Sequence, residues 1–109
     1  MNRTANLAGL ITKGNVNKAV SKDRYGRTVT EYSITQYDEA AKTGTNRTGF
    51  VASYIAVVVN LPKVYSEKTG LKYLVNDWSA GPHKGVTEHA DRLEAHTTAV
   101  AAVIRASNQ

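Results

Sequence analysis

The residues that could perform catalysis or hold a metal ion are few and unfavourably spaced in this chain. There is no cysteine, which excludes disulfides, thiolate ligands and cysteine nucleophiles. The histidines are His83, His89 and His96. On one helix, His89 and His96 would lie about 10 Å apart along the axis, too far to share a zinc ion. No serine has a G-x-S-x-G context. We therefore expect no metal, no cofactor and no enzymatic activity.

A basic loop at residues 42–49 (KTGTNRTG) is the nearest approach to a phosphate-binding motif. A P-loop ends in G-K-[ST] and opens a helix, whereas this segment precedes a strand-like stretch. The P-loop interpretation therefore fails, and the segment is typical of a flexible hairpin loop. Lys42 and Arg47 remain candidates for contact with the phosphates of a nucleic acid.

Six tyrosines and one tryptophan provide the other chemistry suited to binding. Tyrosine on a solvated sheet face can stack on an unpaired base, at about 1–3 kcal/mol per base. Tyrosine also favours strands for packing reasons alone, so each of the six has a purely structural alternative. We expect Trp78 to anchor the core or an interface rather than to serve as a platform for a base.

The elements that must position these residues divide the chain into a basic β region and a near-neutral helix. Residues 1–84 hold 12 Lys and Arg against 6 Asp and Glu, a net of +6, while residues 85–109 hold 2 against 3, a net of −1. This division predicts a basic sheet for a polyanion and a separate surface for packing.

The length of 109 residues and the hydrophobic fraction of 41% predict one small globular domain over residues 1–109. A chain of this size without disulfides often gains burial from a second subunit, so we expect a homo-oligomer. The apolar runs are too short to span a bilayer, and the N-terminal sequence lacks the apolar region of a signal peptide. We expect a cytoplasmic protein that contacts neither a membrane nor a small-molecule substrate.

Alternating, β-branched stretches predict five to six strands within residues 5–79. An N-terminal hairpin is predicted to join Leu7–Thr12 to Val16–Lys22 through a turn at residues 13–15. A second turn is predicted at residues 23–26. Further strands are predicted over residues 27–37, 47–60 and 71–79, with a polar loop at 38–46, a hairpin loop at 61–70 and a break at 80–85.

One amphipathic helix is predicted over residues 86–106. Thr87 is the expected N-cap, Glu88 and Asp91 fall in the first turn, and Arg105 and Asn108 lie near the end. Its apolar residues repeat at spacings of three and four, and its many alanines allow a neighbour to approach closely. The residues predicted to form a dimer interface are Leu93, Thr97, Val100 and Ile104.

The stretch from Asn46 to Asn108 resembles the coat proteins of single-stranded RNA bacteriophages. The likeness rests on a long strand running into Pro-Lys-Val (SYIAVVVNLPKV, residues 53–64), then a loop, a strand with Tyr73-Leu74, and a threonine-led helix rich in small residues. The turn at residues 13–15 resembles the opening hairpin of that family. The chain is short for the family, with room for one terminal helix where two are usual.

The resemblance implies an α+β fold with an N-terminal β-hairpin, an antiparallel sheet and a C-terminal helix. Two subunits would join their sheets edge to edge, with helices over the outer face, and the dimers would build an icosahedral shell in the bacterial cytoplasm. The inner sheet face of this virion would package single-stranded RNA and contact an operator hairpin.

The RNA-binding residues that the resemblance implies are transferred by position. Tyr73 is the stacking candidate, and its polar or basic neighbours are Lys42, Arg47, Tyr54 and Asn76. The alternation of the 47–60 strand leaves open whether Ser53 or Tyr54 faces the RNA, because a slip of one residue exchanges the two faces.

An OB-fold single-stranded DNA-binding protein is the alternative function. Residues 7–37, the basic loop and residues 47–59 are similar to the first three strands of that barrel, and a basic chain with interleaved tyrosines suits it. The OB-fold, however, places its helix between the third and fourth strands, whereas the helix predicted here ends the chain. A β-rich oligomeric structural protein without a nucleic-acid role is a third alternative.

Overall fold

The computed structural model describes residues 3–80 and 85–108, and it has an α+β fold. The helices and strands, in chain order, are α1 (Arg3–Gly14), β1 (Asn17–Lys22), β2 (Thr28–Tyr37), β3 (Phe50–Asn60), α2 (Lys63–Thr69), β4 (Tyr73–Asp77), β5 (Val86–His89) and α3 (Arg92–Ser107). Short 3-10 turns occur at Glu39–Ala41 and Trp78–Ala80. The five strands follow one another in the order β1-β2-β3-β4-β5, each antiparallel to its neighbours.

The predicted α+β fold, with an antiparallel sheet followed by a C-terminal helix, is thus confirmed. None of the helices within the described ranges is long and apolar enough to cross a membrane. Most of the break predicted at residues 80–85, together with His83, lies outside the described residues.

The N-terminal segment is a helix, so the predicted hairpin between Leu7–Thr12 and Val16–Lys22 is wrong. Leu7, Leu10 and Ile11 pack against the core cluster, and their spacing places them on one helical face. The helix ends with Asn15 in a left-handed conformation (φ 54°), and the Val16 N–H donates to the Ile11 carbonyl. The packing of these helically spaced apolar residues on the core therefore outweighs the β propensity of Ile11 and Thr12, and the segment is a helix.

The predicted turn at residues 23–26 joins β1 to β2, which form the first hairpin of the sheet. The Asp23 carboxylate accepts hydrogen bonds from the Tyr25 and Arg27 N–H groups, both at 2.9 Å, and from Arg27 Nε at 2.7 Å. Gly26 has a φ of 79°, which glycine adopts without steric cost. The strand prediction for residues 27–37 is confirmed by β2.

The connection between β3 and β4 contains helix α2, so the hairpin loop predicted at residues 61–70 is wrong. Pro62 occupies the N-cap position, where its missing N–H is not needed. Gly70, with φ 75°, ends the helix by donating its N–H to the Ser66 carbonyl.

The C-terminal helix begins later than predicted, at Arg92 instead of residue 86. Val86–His89 form β5, whose β-branched start completes an antiparallel ladder with β4. Thr87 is therefore a strand residue, and the N-cap is Asp91, whose carboxylate accepts from the Glu94 N–H at 3.2 Å. The predicted end is confirmed, since α3 stops at Ser107 with Asn108 as its C-cap.

The core lies between α3 and the middle of the sheet. On the sheet side it is built from Tyr32, Ala56, Val58 and Val75, all almost wholly buried. The buried residues of α3 are mainly small: Ala95, His96, Ala99, Val100, Ala102, Val103 and Ala106. The helix therefore lies close to the sheet. The close approach predicted from its alanines is made by the sheet of the same chain.

One polar contact is buried in this core. The Tyr32 hydroxyl and His96 Nδ1 lie 2.7 Å apart, and Tyr73 packs edge-on to the same imidazole at 6.4 Å between ring centroids. Burial, reinforced by the positive charges of Arg92 and Lys18, lowers the pKa of His96 to about 4. His96 is therefore neutral in the folded protein at pH 7. Because His89 belongs to β5, the two histidines do not share a helix.

We expect the free energy of unfolding to fall as the pH is lowered from about 6.5 to about 4. In the unfolded chain His96 has an ordinary pKa near 6.5, so within this window the unfolded state binds more protons than the folded state. At 1.36 kcal/mol per pKa unit, the loss amounts to about 3 kcal/mol when the window has been crossed. Urea unfolding curves at a series of pH values measure this quantity.

The variant His96→Gln lacks the titrating group, so its stability should fall less steeply across the same window. His89→Gln is the matched control, because His89 lies on the edge strand and not in the core, and it should keep the steep dependence. If the free energy of unfolding fell equally steeply with pH in His96→Gln and in the unsubstituted chain, His96 would not be the source of the pH dependence.

Candidate nucleic-acid interface

The strand register assigns every strand residue to one of two sheet faces. Tyr32 contacts His96 of α3, and directly opposed residues of antiparallel strands share a face. The covered face, on the α3 side, thus contains the residues Thr30, Tyr32, Ile34, Tyr54, Ala56, Val58, Tyr73 and Val75. The open face contains the alternate positions: Val29, Glu31, Ser33, Thr35, Ser53, Ile55, Val57, Val59, Leu74, Asn76, Val86 and Glu88.

This assignment separates the tyrosines predicted to bind RNA from the open face. Tyr54 and Tyr73 both lie on the covered face and pack against the core cluster. The Tyr54 hydroxyl donates to Gln36 Oε1 at 3.4 Å. Between the alternatives left by the sequence, Ser53 is the residue on the open face. Asn76 is there as well, opposite Val57 and half-buried.

The two predicted cations, Lys42 and Arg47, lie in the loop between β2 and β3, and both are exposed. Lys42 Nζ is 2.9 Å from Glu39 Oε1, a surface ion pair of little energetic weight. The Asn46 side chain holds the loop by accepting from the Phe50 N–H at 3.2 Å and donating to the Phe50 carbonyl at 3.0 Å. The structure therefore fixes both cations at one end of the sheet.

The predicted basic sheet is wrong at the level of the strands. Where the five strands are described, their open-face positions carry no Lys or Arg and include the carboxylates of Glu31 and Glu88. Two strand lysines, Lys18 and Lys22, pair with covered-face residues of β2. The cations that could serve the open face are thus outside its strands, for example in the β2–β3 loop and on α2. The sequence showed the net charge but not its placement, because alternate strand residues point to opposite faces.

The strands of the open face carry aliphatic and hydroxyl side chains, and exposed aromatic rings lie at one end of it. Thr35 Oγ1 and Ser53 Oγ lie 3.4 Å apart across the β2–β3 pair. Tyr37 and Phe50, opposed across a β-bulge, pack edge to face with ring centroids 6.4 Å apart. Trp78 follows β4 and is 55% exposed, so it does not anchor the core of this chain, and its expected role as an interface anchor stays a prediction.

These aromatic residues were missed by the sequence reasoning, although one signal was present. Tyr37 is two residues after Thr35 and continues the alternation of β2, whereas Trp78 lies in the 3-10 turn after β4, where strand alternation no longer applies. Which set of alternate strand residues faces solvent depends on which sheet face α3 covers. Hydroxyl groups can hydrogen-bond to unpaired bases, and exposed aromatic rings beside them can stack on those bases.

The residues predicted to form a dimer interface occupy several environments in the chain. Val100 is fully buried in the core, so its side chain has no surface left for a partner. Ile104 packs against Gly14 of α1, whose Cβ, if it had one, would lie 2.8 Å from the Ile104 side chain. Leu93 and Thr97 are half-exposed, and for them the interface stays a prediction.

The side chains that could bind a metal ion do not converge. Within the described ranges, no group of three or more His, Asp or Glu residues has the geometry of a metal site.

Comparison of the chain with protein-family models, with curated proteins and with solved structures finds no match.

We expect Gly49→Ala to destabilise the protein by at least about 2 kcal/mol. Gly49 has a φ of 78°, and a Cβ there would collide with the carbonyl of Asp38, whose N–H donates to the Gly49 carbonyl at 2.8 Å. Gly44→Ala in the same loop is the control, since a Cβ at Gly44 meets nothing within 4 Å. Its effect should stay within about 0.5 kcal/mol. Urea unfolding compares the two, and equal effects would contradict the account of the loop.

Proposed function

We propose that this chain is a structural coat protein of the single-stranded RNA bacteriophage type, which dimerises, assembles into an icosahedral shell and packages RNA. The observation that carries the proposal is the asymmetry of the sheet. One face is packed under α3, while the other presents aliphatic and hydroxyl side chains, with aromatic rings at one end. Where α2 reaches the open face, it does so at the rim, through the Tyr65 hydroxyl, which donates to the Glu88 carboxylate at 2.8 Å.

The shape of the chain supports a role as one part of an assembly. Its Cα radius of gyration is 15.7 Å, compared with about 13 Å for a compact chain of this length. The principal extents of 53 × 36 × 23 Å describe a slab one sheet and one helix layer thick. A slab has a high ratio of surface to volume, so a partner that adds burial would stabilise it.

The two edge strands differ in their fitness for pairing with a second copy. Lys18, Val20 and Lys22 direct their backbone N–H and C=O groups away from β2, because the Asp23 N–H donates to the Arg27 carbonyl and the pattern alternates. Lysines on an edge strand oppose pairing between copies. We therefore assign the dimer contact to β5, where two antiparallel copies would extend one continuous sheet.

RNA binding is assigned to the open face and the loops beside it. Serine, threonine and asparagine side chains can hydrogen-bond to bases and to 2′-hydroxyls, while exposed rings stack on bases. Loop cations, among them Lys42 and Arg47, would contact phosphates. The chain as a whole carries a formal net charge of +5, which favours association with a polyanion.

The alternative single-stranded DNA-binding function was tied to an OB-fold, and the topology differs from that fold. An OB-fold closes its strands into a partly open Greek-key barrel. Here the strand order β1-β2-β3-β4-β5 is an open meander in which β1 and β5 are the edges. A short helix does lie between β3 and β4, but the helix that packs on the sheet is α3.

The decisive experiment is expression of this chain alone in bacteria, followed by size-exclusion chromatography and electron microscopy. A coat protein should elute as closed particles that contain host RNA and absorb ultraviolet light as a nucleoprotein. A small oligomer that is free of nucleic acid would refute the proposal.

The variant Val86→Pro should weaken the dimer without unfolding the subunit. Because the Asp77 N–H donates to the Gly85 carbonyl, alternation points the Val86 N–H outward from the sheet. Loss of two symmetry-related hydrogen bonds, each of about 1–3 kcal/mol, should raise the dissociation constant roughly 30-fold or more. Analytical ultracentrifugation measures the dimer, and circular dichroism verifies the fold.

Val20→Pro is the matched control, because it removes an outward N–H from the opposite edge and Val20 is 60% exposed. Dimers should persist in this variant. If the Val20→Pro dimer dissociated while the Val86→Pro dimer stayed intact, the dimer contact would lie at β1 and not at β5.

A further inference from the structure

A concavity lies where β4 separates from β3. Strand β3 runs over Phe50–Asn60, but β4 pairs only with Ala56–Asn60, because it ends at Asp77 and continues into the 3-10 turn Trp78–Ala80. The space beside the unpaired part of β3 has a volume of about 300 Å³. Its lining residues are Ser53, Tyr54, Ile55, Trp78 and Ser79, and we call it the Trp78 concavity.

Backbone hydrogen-bonding groups of β3 point into this space. The Leu61 N–H donates to the Lys72 carbonyl at 2.8 Å, so alternate residues of β3 direct their N–H and C=O groups toward β4. Ile55 flanks the last β3–β4 pair, Ala56 with Asp77, so by this alternation Ser53 is the residue that does so beyond the end of β4. In the part of the chain that the structure describes, no backbone hydrogen bond reaches Ser53 from that side. Among the described residues, the hydrogen-bond partner of the Ser53 hydroxyl is Thr35 Oγ1, at a long 3.4 Å.

The indole of Trp78 forms one wall of the concavity and is held by a well-bonded turn. The Asp77 carboxylate accepts from the Ser79 N–H at 3.1 Å and from the Ser79 hydroxyl at 2.5 Å. The Asp77 N–H is itself bonded to the Gly85 carbonyl at 2.9 Å. An aromatic side chain on a turn fixed in this way loses little conformational freedom when a ligand stacks on it.

These features fit a small planar heteroaromatic group better than an added β-strand. The turn Trp78–Ala80 packs against β3 where a further strand would have to lie. A nucleobase, by contrast, has a flat face for the indole and donors and acceptors along its edge for the free backbone groups. We propose that the Trp78 concavity binds one unpaired nucleobase of single-stranded RNA, stacked on Trp78 and hydrogen-bonded to the backbone and hydroxyl of Ser53.

This site rests on the proposed RNA-packaging function and adds a base contact to it. Its lining residues carry no formal charge, so its contribution should depend little on salt. The phosphate contacts of the loop cations, in contrast, weaken steeply as salt is raised. The two contributions can therefore be measured separately.

Trp78 is the only tryptophan of the chain, so intrinsic tryptophan fluorescence reports on this site alone. The full-length chain, prepared as RNA-free dimers so that the open face is accessible, is titrated with an oligouridylate and with an abasic oligonucleotide of the same length and charge, each carrying a fluorophore for anisotropy. Both should bind, but only the oligouridylate should quench Trp78. Trp78→Leu should weaken oligouridylate binding by about 5- to 100-fold and leave abasic binding unchanged. Trp78→Phe, which retains an aromatic face, should recover part of the affinity.

Tyr25→Leu is the matched control, since Tyr25 is 70% exposed in the β1–β2 turn, away from the concavity. It should bind both oligonucleotides as the unsubstituted chain does, and circular dichroism verifies that all variants fold. Equal binding of both oligonucleotides without quenching overturns this site while leaving RNA packaging intact. Loss of particles in Trp78→Leu with unchanged oligonucleotide binding also overturns it, because Trp78 would then be a contact between copies. If neither oligonucleotide binds and the particles contain no RNA, the proposed function itself is overturned.

Discussion

The packing of α3 on the sheet is the contact on which the rest of the structure depends. Ala95, Ala99 and their neighbours bring the helix axis close to the strands, and the Tyr32–His96 contact fixes its position along β2. Either polar group, if left without its partner in this core, would cost about 1–3 kcal/mol, which opposes sliding or rotation of the helix. The position of α3 decides which alternate residues of every strand are buried, and so it also decides which remain available for binding.

Binding chemistry is divided between the open face and the loops around it. The strands supply hydroxyl, amide and aliphatic groups, the strand ends supply aromatic rings, and the loops supply cations such as Arg47. Loop charges act over distances near the Debye length and attract any polyanion, whereas the groups on the face act only at contact. A protein that must hold a long RNA of many sequences benefits from such a division, because attraction does not then require a particular base.

The sequence predicted the elements better than their environments. Alternation identified β2, β3 and β4, and the end of α3 at Asn108 was correct, because these depend on local periodicity and capping. The segments Leu7–Thr12 and Val86–His89 were wrong, because short stretches carry weak signals and their contacts with α3 and β4 decide their structure. Tyr54 and Tyr73 were correctly placed in strands, yet their rings pack against the core, whereas Tyr37, Phe50 and Trp78 are exposed. The sequence of a strand does not show which of its two sets of alternate residues is buried, because the two sets are equivalent until a helix covers one face of the sheet.

The unlike edges of the sheet have a consequence for how far association can proceed. If two copies pair through β5 about a two-fold axis, both outer margins of the pair are β1 strands, flanked by Lys18 and Lys22. A third copy would have to lay its own lysines against these, and like charges on adjacent strands repel. Sheet extension therefore terminates at two chains instead of propagating into a fibre, and higher-order growth is left to surfaces other than the backbone edge.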